Sequence, residues 1–371
     1  MNIIFLTRLD PRDITAWSGT SYHIYHKLKE KHIIEVIGPE IFKQFLQFKN
    51  GNFHEIIQIP NYRYYSSLGE LFSERLSTLK CDLIFFGDML FIPFDKQIPF
   101  IHLSDMTFEQ NTVYFGYHKI EDKETYIGFE KSLLENAFRI IYSSEWIKQK
   151  AVDYYHIDTK KIDVVEFGAN IPDPTEYSVE IDTTICRLVF IGKDWEIKGG
   201  DKLLEIYQIL KDDGFPCTLT IVGSGNKEID IDCDGITVYH FLDKSKPSDL
   251  EKLCNILSES HFLVLPTKFD AFGIVFCEAS AYAVPSIAAD VGGVSQAVKE
   301  GKNGYLLPAD ATAADYAEKI KTAFNDREGY LKLRQSSRHE YETRLNWDVW
   351  GEKVNKILEE VVNQWGMGNG E

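Results

Sequence analysis

The chain has 371 residues, 44% of them hydrophobic, and a formal net charge of −17 at pH 7. That length accommodates two domains, and no apolar run approaches the ~18 residues a membrane helix needs, so globular structure without a membrane span is expected. So acidic a chain opposes non-specific polynucleotide binding, which needs a dense cationic face to displace counterions, and no nucleic-acid partner is expected.

The opening MNIIFLTRLD lacks a basic stretch followed by a long apolar one. It reads as a first β-strand rather than a secretory leader, which makes a cytoplasmic protein the expectation. TAWSGTSYHIYHKL then places Gly19 in a loop just before a helix whose first amides would face a ligand. His23 and His26 lie three apart on that helix without the further ligands zinc requires, so structural roles are expected. Lys27, Lys29 and Lys31, with Lys43 and Lys49, form a basic spot that suits a solvated surface or a weak peripheral contact with an anionic membrane. The runs HIIEVIG, EIIQIP, DLIFFGD, PFIHLSD, RIIYSS and DVVEFG, separated by helical periodicities, complete one α/β unit. His102 and Asp105 end one of these strands, on the edge where α/β sheets place ligands. Strand alternation suits His102 to a buried, hydrogen-bonded place as well as to a contact, so Asp105 is preferred. Ser143, Ser144 and Glu145 open a helix as a cap.

The polar run IPDPTEYSVEIDTT, with Pro172 and Pro174, marks a linker, and the boundary is placed near residue 173. A second series follows: RLVFIG, TLTIVGSG, TVYHFL, HFLVLP, PSIAAD and GYLLP. Each half is therefore expected to be a doubly wound, mostly parallel sheet. In IGKDWEIKGGD, Lys193 and Lys198 share one short loop between a strand and a helix, where two cations suit a diphosphate; taken alone, ordinary solvated charges fit equally. Gly223, in VGSG, is read first as a tight turn, with backbone contact to a nucleotide as the alternative. Asp230, Asp232 and Asp234 copy the opening of a calcium loop, but its twelfth position is Phe241 instead of a bidentate glutamate. A solvated acidic loop is expected there, and no metal.

The densest chemistry lies in TKFDAFGIVFCEASAYAVPSIAADVGGVSQAVKEGKNGY. A strand ends, and Gly273 turns the chain into the periodic stretch Ile274 to Tyr282, so the amides of Phe272, Gly273 and Ile274 would point outward with the positive end of the helix dipole. They suit a phosphate. Glu278, one turn in, would repel an anion and is better placed to accept hydrogen bonds from sugar hydroxyls. A nucleotide sugar has both parts. Gly292 and Gly293 suit either backbone approach to an anion or a plain strand-to-helix turn. The closing NWDVWGEKVNKILEEVVNQW has helical apolar spacing through Val349, Val354, Ile357, Leu358, Val361 and Val362, with the tail after Trp365 frayed. Cys81, Cys186, Cys217, Cys233, Cys254 and Cys277 are scattered, as reduced thiols would be.

With Lys193, Lys198, Asp270, Phe272, Gly273, Glu278, Gly292 and Gly293 in this order, the chain resembles the retaining GT-B glycosyltransferases, the broad family of glycogen synthases, sucrose synthases and bacterial group 1 glycosyltransferases. The family's G-[RK]-x4-K-G is met by Gly192, Lys193, Lys198 and Gly199, and its E-x7-E by Asp270 and Glu278. The first half matches through the Gly19 loop, Asp105 and the segment Phe167 to Asn170. The resemblance implies an α/β architecture of two Rossmann-like domains facing a cleft: 1–172 for the acceptor, 173–345 for the nucleotide-sugar donor, and 346–371 as a helix crossing back to the first domain. It implies transfer of a sugar from a nucleotide-diphosphate donor to a glycan, lipid-linked or small-molecule acceptor; no cofactor or metal is expected, since the cations and helix amides already supply the charge a metal would bring and DIDCDG fails as a ligand set. Lys193 and Lys198 would bind the diphosphate, Glu278 the ribose, Asp270 and the amides of Phe272 to Ile274 the transferred sugar, and Phe241 and Leu242 the base, with Gly19 and Gly223 as further donor contacts. Asp270, Lys198 and Asp105 would be the catalytic set. Three departures stand out: Asp270 replaces the commoner glutamate, Lys193 the commoner arginine, and Ser104 stands where a histidine often precedes the first-domain aspartate. A nucleotide-sugar epimerase of related fold and a non-catalytic nucleotide-sugar binder are the rival readings.

Overall fold

The computed structural model describes residues 1–41, 72, 74–76, 78–87, 98–114, 123–174, 177–224 and 234–368. The run EIIQIP, Lys43, Lys49, Asp230, Asp232 and Cys233 lie outside the described residues.

Strands form where the apolar runs fall. In the first unit β1 (Asn2–Leu6), β2 (Ile33–Ile37), β3 (Leu83–Phe86), β4 (Phe100–Ser104), β5 (Arg139–Tyr142) and β6 (Ile162–Val164) pair in the order β2-β1-β3-β4-β5-β6, every pair parallel. All of β3 and β4, and β1 after its first residue, are buried. A parallel sheet is covered on both faces, which is why these strands read as unbroken apolar runs. The helices α1 (Thr20–Lys29), α2 (Phe108–Tyr114), α3 (Lys123–Asn136) and α4 (Glu145–Tyr155) lie between them in sequence. Ile4, Leu6, Ile84, Phe86, Ile140 and Tyr142 form one core with Leu134, Ile147 and Tyr155. On the opposite face Phe5 and Phe85 stack at 5.6 Å.

The second unit repeats the scheme with β7 (Cys186–Ile191), β8 (Cys217–Val222), β9 (Ile236–Tyr239), β10 (Phe262–Leu265), β11 (Ser286–Ala289) and β12 (Gly304–Leu307), in the order β12-β11-β10-β7-β8-β9, again all parallel. Its helices are α5 (Gly200–Asp212), α6 (Pro247–Glu259), α7 (Ile274–Ala281), α8 (Val294–Ala297), α9 (Ala313–Asn325) and α10 (Arg327–Thr343). The chain winds outward from β7 to β9, then returns to the other side of β7 with β10. That reversal sets the ends of β7 and β10 side by side with their connections departing in opposite directions, the point where open α/β sheets hold ligands. In the first sheet the same reversal lies between β1 and β3.

The last helix, α11 (Trp347–Gly368), continues three residues past Trp365, where fraying was expected. The chain divides into one unit of residues 1–165 with 351–371 and another of 166–350, so the boundaries expected after 172 and 345 fall at 165/166 and 350/351. Side chains of α10 explain the first difference. Arg338 Nη1 meets Asp173 Oδ1 at 2.8 Å, and Arg334 donates to the carbonyls of Ser178 and Val179 at 2.9 and 3.0 Å, so the proline-marked stretch is held by the second unit. Trp347 explains the other, stacking on Phe167 at 5.9 Å and donating from its indole to Asn170 Oδ1 at 3.1 Å. From 351 onward α11 belongs to the first unit: Val354, Leu358 and Val361 are fully buried there, and His32 Nε2 bonds Asn355 Oδ1 at 2.6 Å.

Candidate functional site

Helix starts differ across the chain in a way that marks a ligand edge. α4, α9 and α10 begin on Ser144, Thr312 and Asp326, whose side chains accept a first-turn amide. α1, α5 and α7 begin instead on Gly19 (φ 98°), Gly199 (φ 77°) and Gly273 (φ 87°), left-handed glycines with no side-chain cap. A polar cap satisfies first-turn amides through its side chain, which a glycine start cannot do, although the first amide of α5, Gly200 N, already donates to the Trp195 carbonyl at 2.8 Å. These three helices follow β1, β7 and β10, the strands at the two reversals.

In the second unit the loops after β7 and β10 are stitched together. The carbonyl of Ile197 accepts from Lys268 N at 2.7 Å and from Thr267 Oγ1 at 3.0 Å. Trp195 is anchored by its indole N–H on Asp201 Oδ1 at 2.7 Å. With both loops fixed, Lys198 Nζ donates to Asp270 Oδ2 at 2.6 Å, across 72 positions of sequence. Their side chains are 22% and 15% exposed. Desolvation offsets much of the attraction in so largely buried a pair, and the ammonium, 22% exposed with its side chain, stays within reach of a ligand. Gly293 N donates to the carbonyl of Asp270 at 2.9 Å, and a Cβ on Gly292 would lie 2.2 Å from that same oxygen. The pair forms a strand-to-helix turn, and Gly293 spends its amide fixing the Asp270 loop.

One turn into α7, Glu278 is 1% exposed, and Lys244 Nζ donates to its Oε1. Sequence reasoning missed Lys244. A carboxylate inside so apolar a helix announces that a cation must cover it, but nothing in the spacing says which of the chain's lysines does. Lys244 sits on the connection from β9 to α6, which also carries Phe241 and Leu242. Phe241 is 58% exposed, and Lys193 Nζ stands 5.8 Å from its ring centroid. Gly223 packs against the Gly192 carbonyl next to Lys193. His240, also passed over in the sequence, bonds through Nδ1 to Ser224 Oγ at 2.9 Å. The hydroxyl and amide of Ser245 hold the Asp243 carboxyl below the usual range. Burial pushes the Cys277 thiol far up and raises that of Cys254, so neither supplies a thiolate nucleophile.

The second unit thus brings Lys193, Lys198, Gly223, Phe241, Leu242, Asp270, Gly273, Ile274 and Glu278 to one edge. Phe272 joins them through its backbone alone, since its ring is 1% exposed and meets Phe167 edge-on at 5.5 Å. Gly19 and Asp105 lie in the first unit, after β1 and β4 at the corresponding edge of that sheet. His102 is 1% exposed inside β4, where all five residues are buried, and Asp105, the residue that follows the strand, is partly exposed. Asp234 accepts at its carbonyl from Tyr207 Oη at 3.0 Å, a turn contact. Among the described residues no group of three His, Cys, Asp or Glu side chains is arranged to hold a metal, and no helix is long and apolar enough to cross a membrane.

Residues 186–326 match the family described as glycosyl transferases group 1. Among curated proteins, the D-inositol 3-phosphate glycosyltransferase of Gordonia bronchialis is 28% identical over 240 residues, covering 59% of this chain and 51% of the relative. That of Mycolicibacterium smegmatis is 27% identical over 225 residues, covering 57% and 50%. The chain therefore spans about half the length of the curated relatives it matches. Among solved structures, sucrose-phosphate synthase from Thermosynechococcus elongatus superposes with a TM-score of 0.70 at 15% identity, over 98% of this chain and 99% of that one. Anabaena HepE in complex with UDP-glucose gives 0.66 at 14% identity, over 97% and 100%.

Proposed function

From a chain whose residues 186–326 match the group 1 glycosyltransferase family and whose two sheets carry the GT-B fold, we infer a retaining glycosyltransferase that moves a sugar from a nucleoside-diphosphate donor to an acceptor hydroxyl, in the synthesis of a glycan, glycolipid or cell-surface polysaccharide. The observation that carries the reading is the Lys198–Asp270 pair beside the glycine-started end of α7, with buried Glu278 one turn further. Cations and free amides suit a diphosphate, and carboxylates suit hydroxyls.

In this reading the diphosphate lies on the starts of α5 and α7, against Lys193, Lys198 and the amides of Phe272, Gly273 and Ile274. Glu278 accepts from the ribose, Asp270 from the transferred sugar, and Phe241 and Leu242 flank the base. As the bond from the sugar's C1 to the phosphate oxygen breaks, charge grows on that oxygen and Lys198 stabilises it. The acceptor hydroxyl forms its bond to C1 from the face the phosphate leaves and gives its proton to the departing oxygen, which preserves the anomeric configuration. Asp105, in the first unit, is the residue we assign to the acceptor. Ammonium groups and amides meet the diphosphate charge, so a divalent metal is not required.

HepE was solved with UDP-glucose, which makes UDP the first nucleotide to try, and the relatives' name makes inositol phosphate the first acceptor. A thermal-shift panel of UDP, ADP, GDP and their sugars tests the donor, since a ligand at a hundred times its Kd adds about 2.7 kcal/mol to the folded state. Transfer assayed with EDTA, and the anomeric coupling of the product by NMR, test the rest. Activity lost to EDTA and restored by manganese would overturn metal independence. A β-linked glucoside made from an α-linked donor would overturn retention.

A further inference from the structure

We propose that Lys244 is the positioning residue of the ribose subsite: its ammonium holds the Glu278 carboxylate in one rotamer, so that the remaining acceptor capacity of that carboxylate meets the sugar hydroxyls of the nucleotide. The inference rests on the donor reading above and deepens it.

Glu278 is 1% exposed in a helix whose other seven residues, IVFC and ASA, carry no charge. A carboxylate buried in such surroundings must either lose its charge or gain a partner. The partner present is Lys244, donating to Oε1. A carboxylate offers about four acceptor positions on two oxygens, so one ammonium contact leaves room for hydroxyl donors.

The lysine is itself fixed. Asp243, just before it, accepts from Ser245 N at 3.0 Å and Ser245 Oγ at 2.7 Å, while Asp243 N donates to Asp249 Oδ2 at 3.1 Å at the start of α6. Lys246 N closes the turn on the Asp243 carbonyl at 2.9 Å. The Lys244 side chain is 26% exposed, so it lies along the protein instead of extending into solvent. Three residues earlier the same loop presents Phe241 to Lys193. One short segment therefore touches both the carboxylate assigned to the ribose and a cation assigned to the diphosphate.

A lysine that only stabilised the fold would affect every nucleotide alike. A positioning lysine acts through the hydroxyls that Glu278 receives. The experiment compares wild type with Lys244→Ala, Lys244→Met and Lys244→Arg, measuring Kd by calorimetry for UDP and for 2′,3′-dideoxy-UDP, with ADP and GDP alongside, and KM and kcat for the sugar donor. Loss of a charge-assisted contact predicts that Lys244→Ala and Lys244→Met bind UDP about 10- to 100-fold more weakly. Their affinity for the dideoxy analogue should equal that of wild type. KM should rise with little change in kcat, and Lys244→Arg should recover most of the loss. If Lys244→Ala does not fold, the Met variant, which keeps the packing volume, carries the comparison. Equal weakening of UDP and its dideoxy analogue, or no weakening of UDP, would overturn the proposal. Failure of wild type to bind any of the three diphosphates would instead overturn the donor reading, and this inference with it.

Discussion

Lys198→Ala should lower kcat by roughly 10²- to 10³-fold, the usual cost of removing one preorganised charge from a transition-state oxygen. Circular dichroism should meanwhile show an intact fold, since the pair it breaks is still partly open to solvent. Near-parental turnover in a folded sample would remove Lys198 from the chemistry. A second residue sets a pH limit. His261 accepts the backbone N–H of Arg187 at Nδ1 (3.0 Å) and donates from Nε2 to the Asp182 carbonyl (2.8 Å), so both nitrogens are satisfied by the neutral ring. Burial, aided by the Arg187 charge, lowers its pKa from 6.5 to about 4. The unfolded chain therefore takes up this proton first as pH falls, and stability drops between 6.5 and about 4, by on the order of 3 kcal/mol. Urea unfolding across that window should show the slope, and His261→Gln should flatten it. Single residues were legible where spacing carried them, as with Lys193, Lys198, Asp270 and Glu278 in two compact stretches. Lys244 was not, because its link to Glu278 is made by a loop 34 positions away whose sequence, HFLDKSK, has no period and no motif.

Elements were the most legible scale. Every apolar run named in the sequence that falls on described residues contains a strand, most of them within a residue or two, while β6, β8 and β9 stop three or four residues before the ends of DVVEFG, TLTIVGSG and TVYHFL. The central strands β1, β3 and β4 bury both faces and leave no polar alternation to confuse the reading. Pro172 and Pro174 lie in an irregular stretch a few residues past the division at 165/166, and Arg338 on Asp173 and Arg334 on Ser178 and Val179 hold that stretch within the second unit. The spacing of α11 gave its buried stripe through Val354, Leu358 and Val361 and passed over Trp350, which is fully buried. Leu358→Ala should cost about 2–5 kcal/mol, the range for emptying a packed leucine site. Because Leu358 belongs to the first unit, chemical denaturation should show the loss there while UDP affinity in the second stays as in the parent. A matching drop in UDP affinity would mean that the two units are not independent.

At the scale of the whole molecule, the division at 165/166 and 350/351 places every residue assigned to the donor, except Gly19, within one stretch of chain. A fragment of residues 166–350 should fold and bind UDP within about threefold of the full chain while transferring no sugar, as expected of a domain with its own core. Loss of binding in a folded fragment would give the first unit a larger part in donor recognition. The resting state of the site has one more consequence. Its two carboxylates already lie on lysines, Asp270 on Lys198 and Glu278 on Lys244. On the donor reading proposed above, an arriving diphosphate competes with Asp270 for the Lys198 ammonium, whereas Lys244 stays on Glu278 and the ribose hydroxyls add to that carboxylate's remaining acceptor positions. Chloride, sulfate and free phosphate bring charge for Lys198 and no hydroxyls for Glu278, so on this reading they hold the site less well than a nucleotide sugar does.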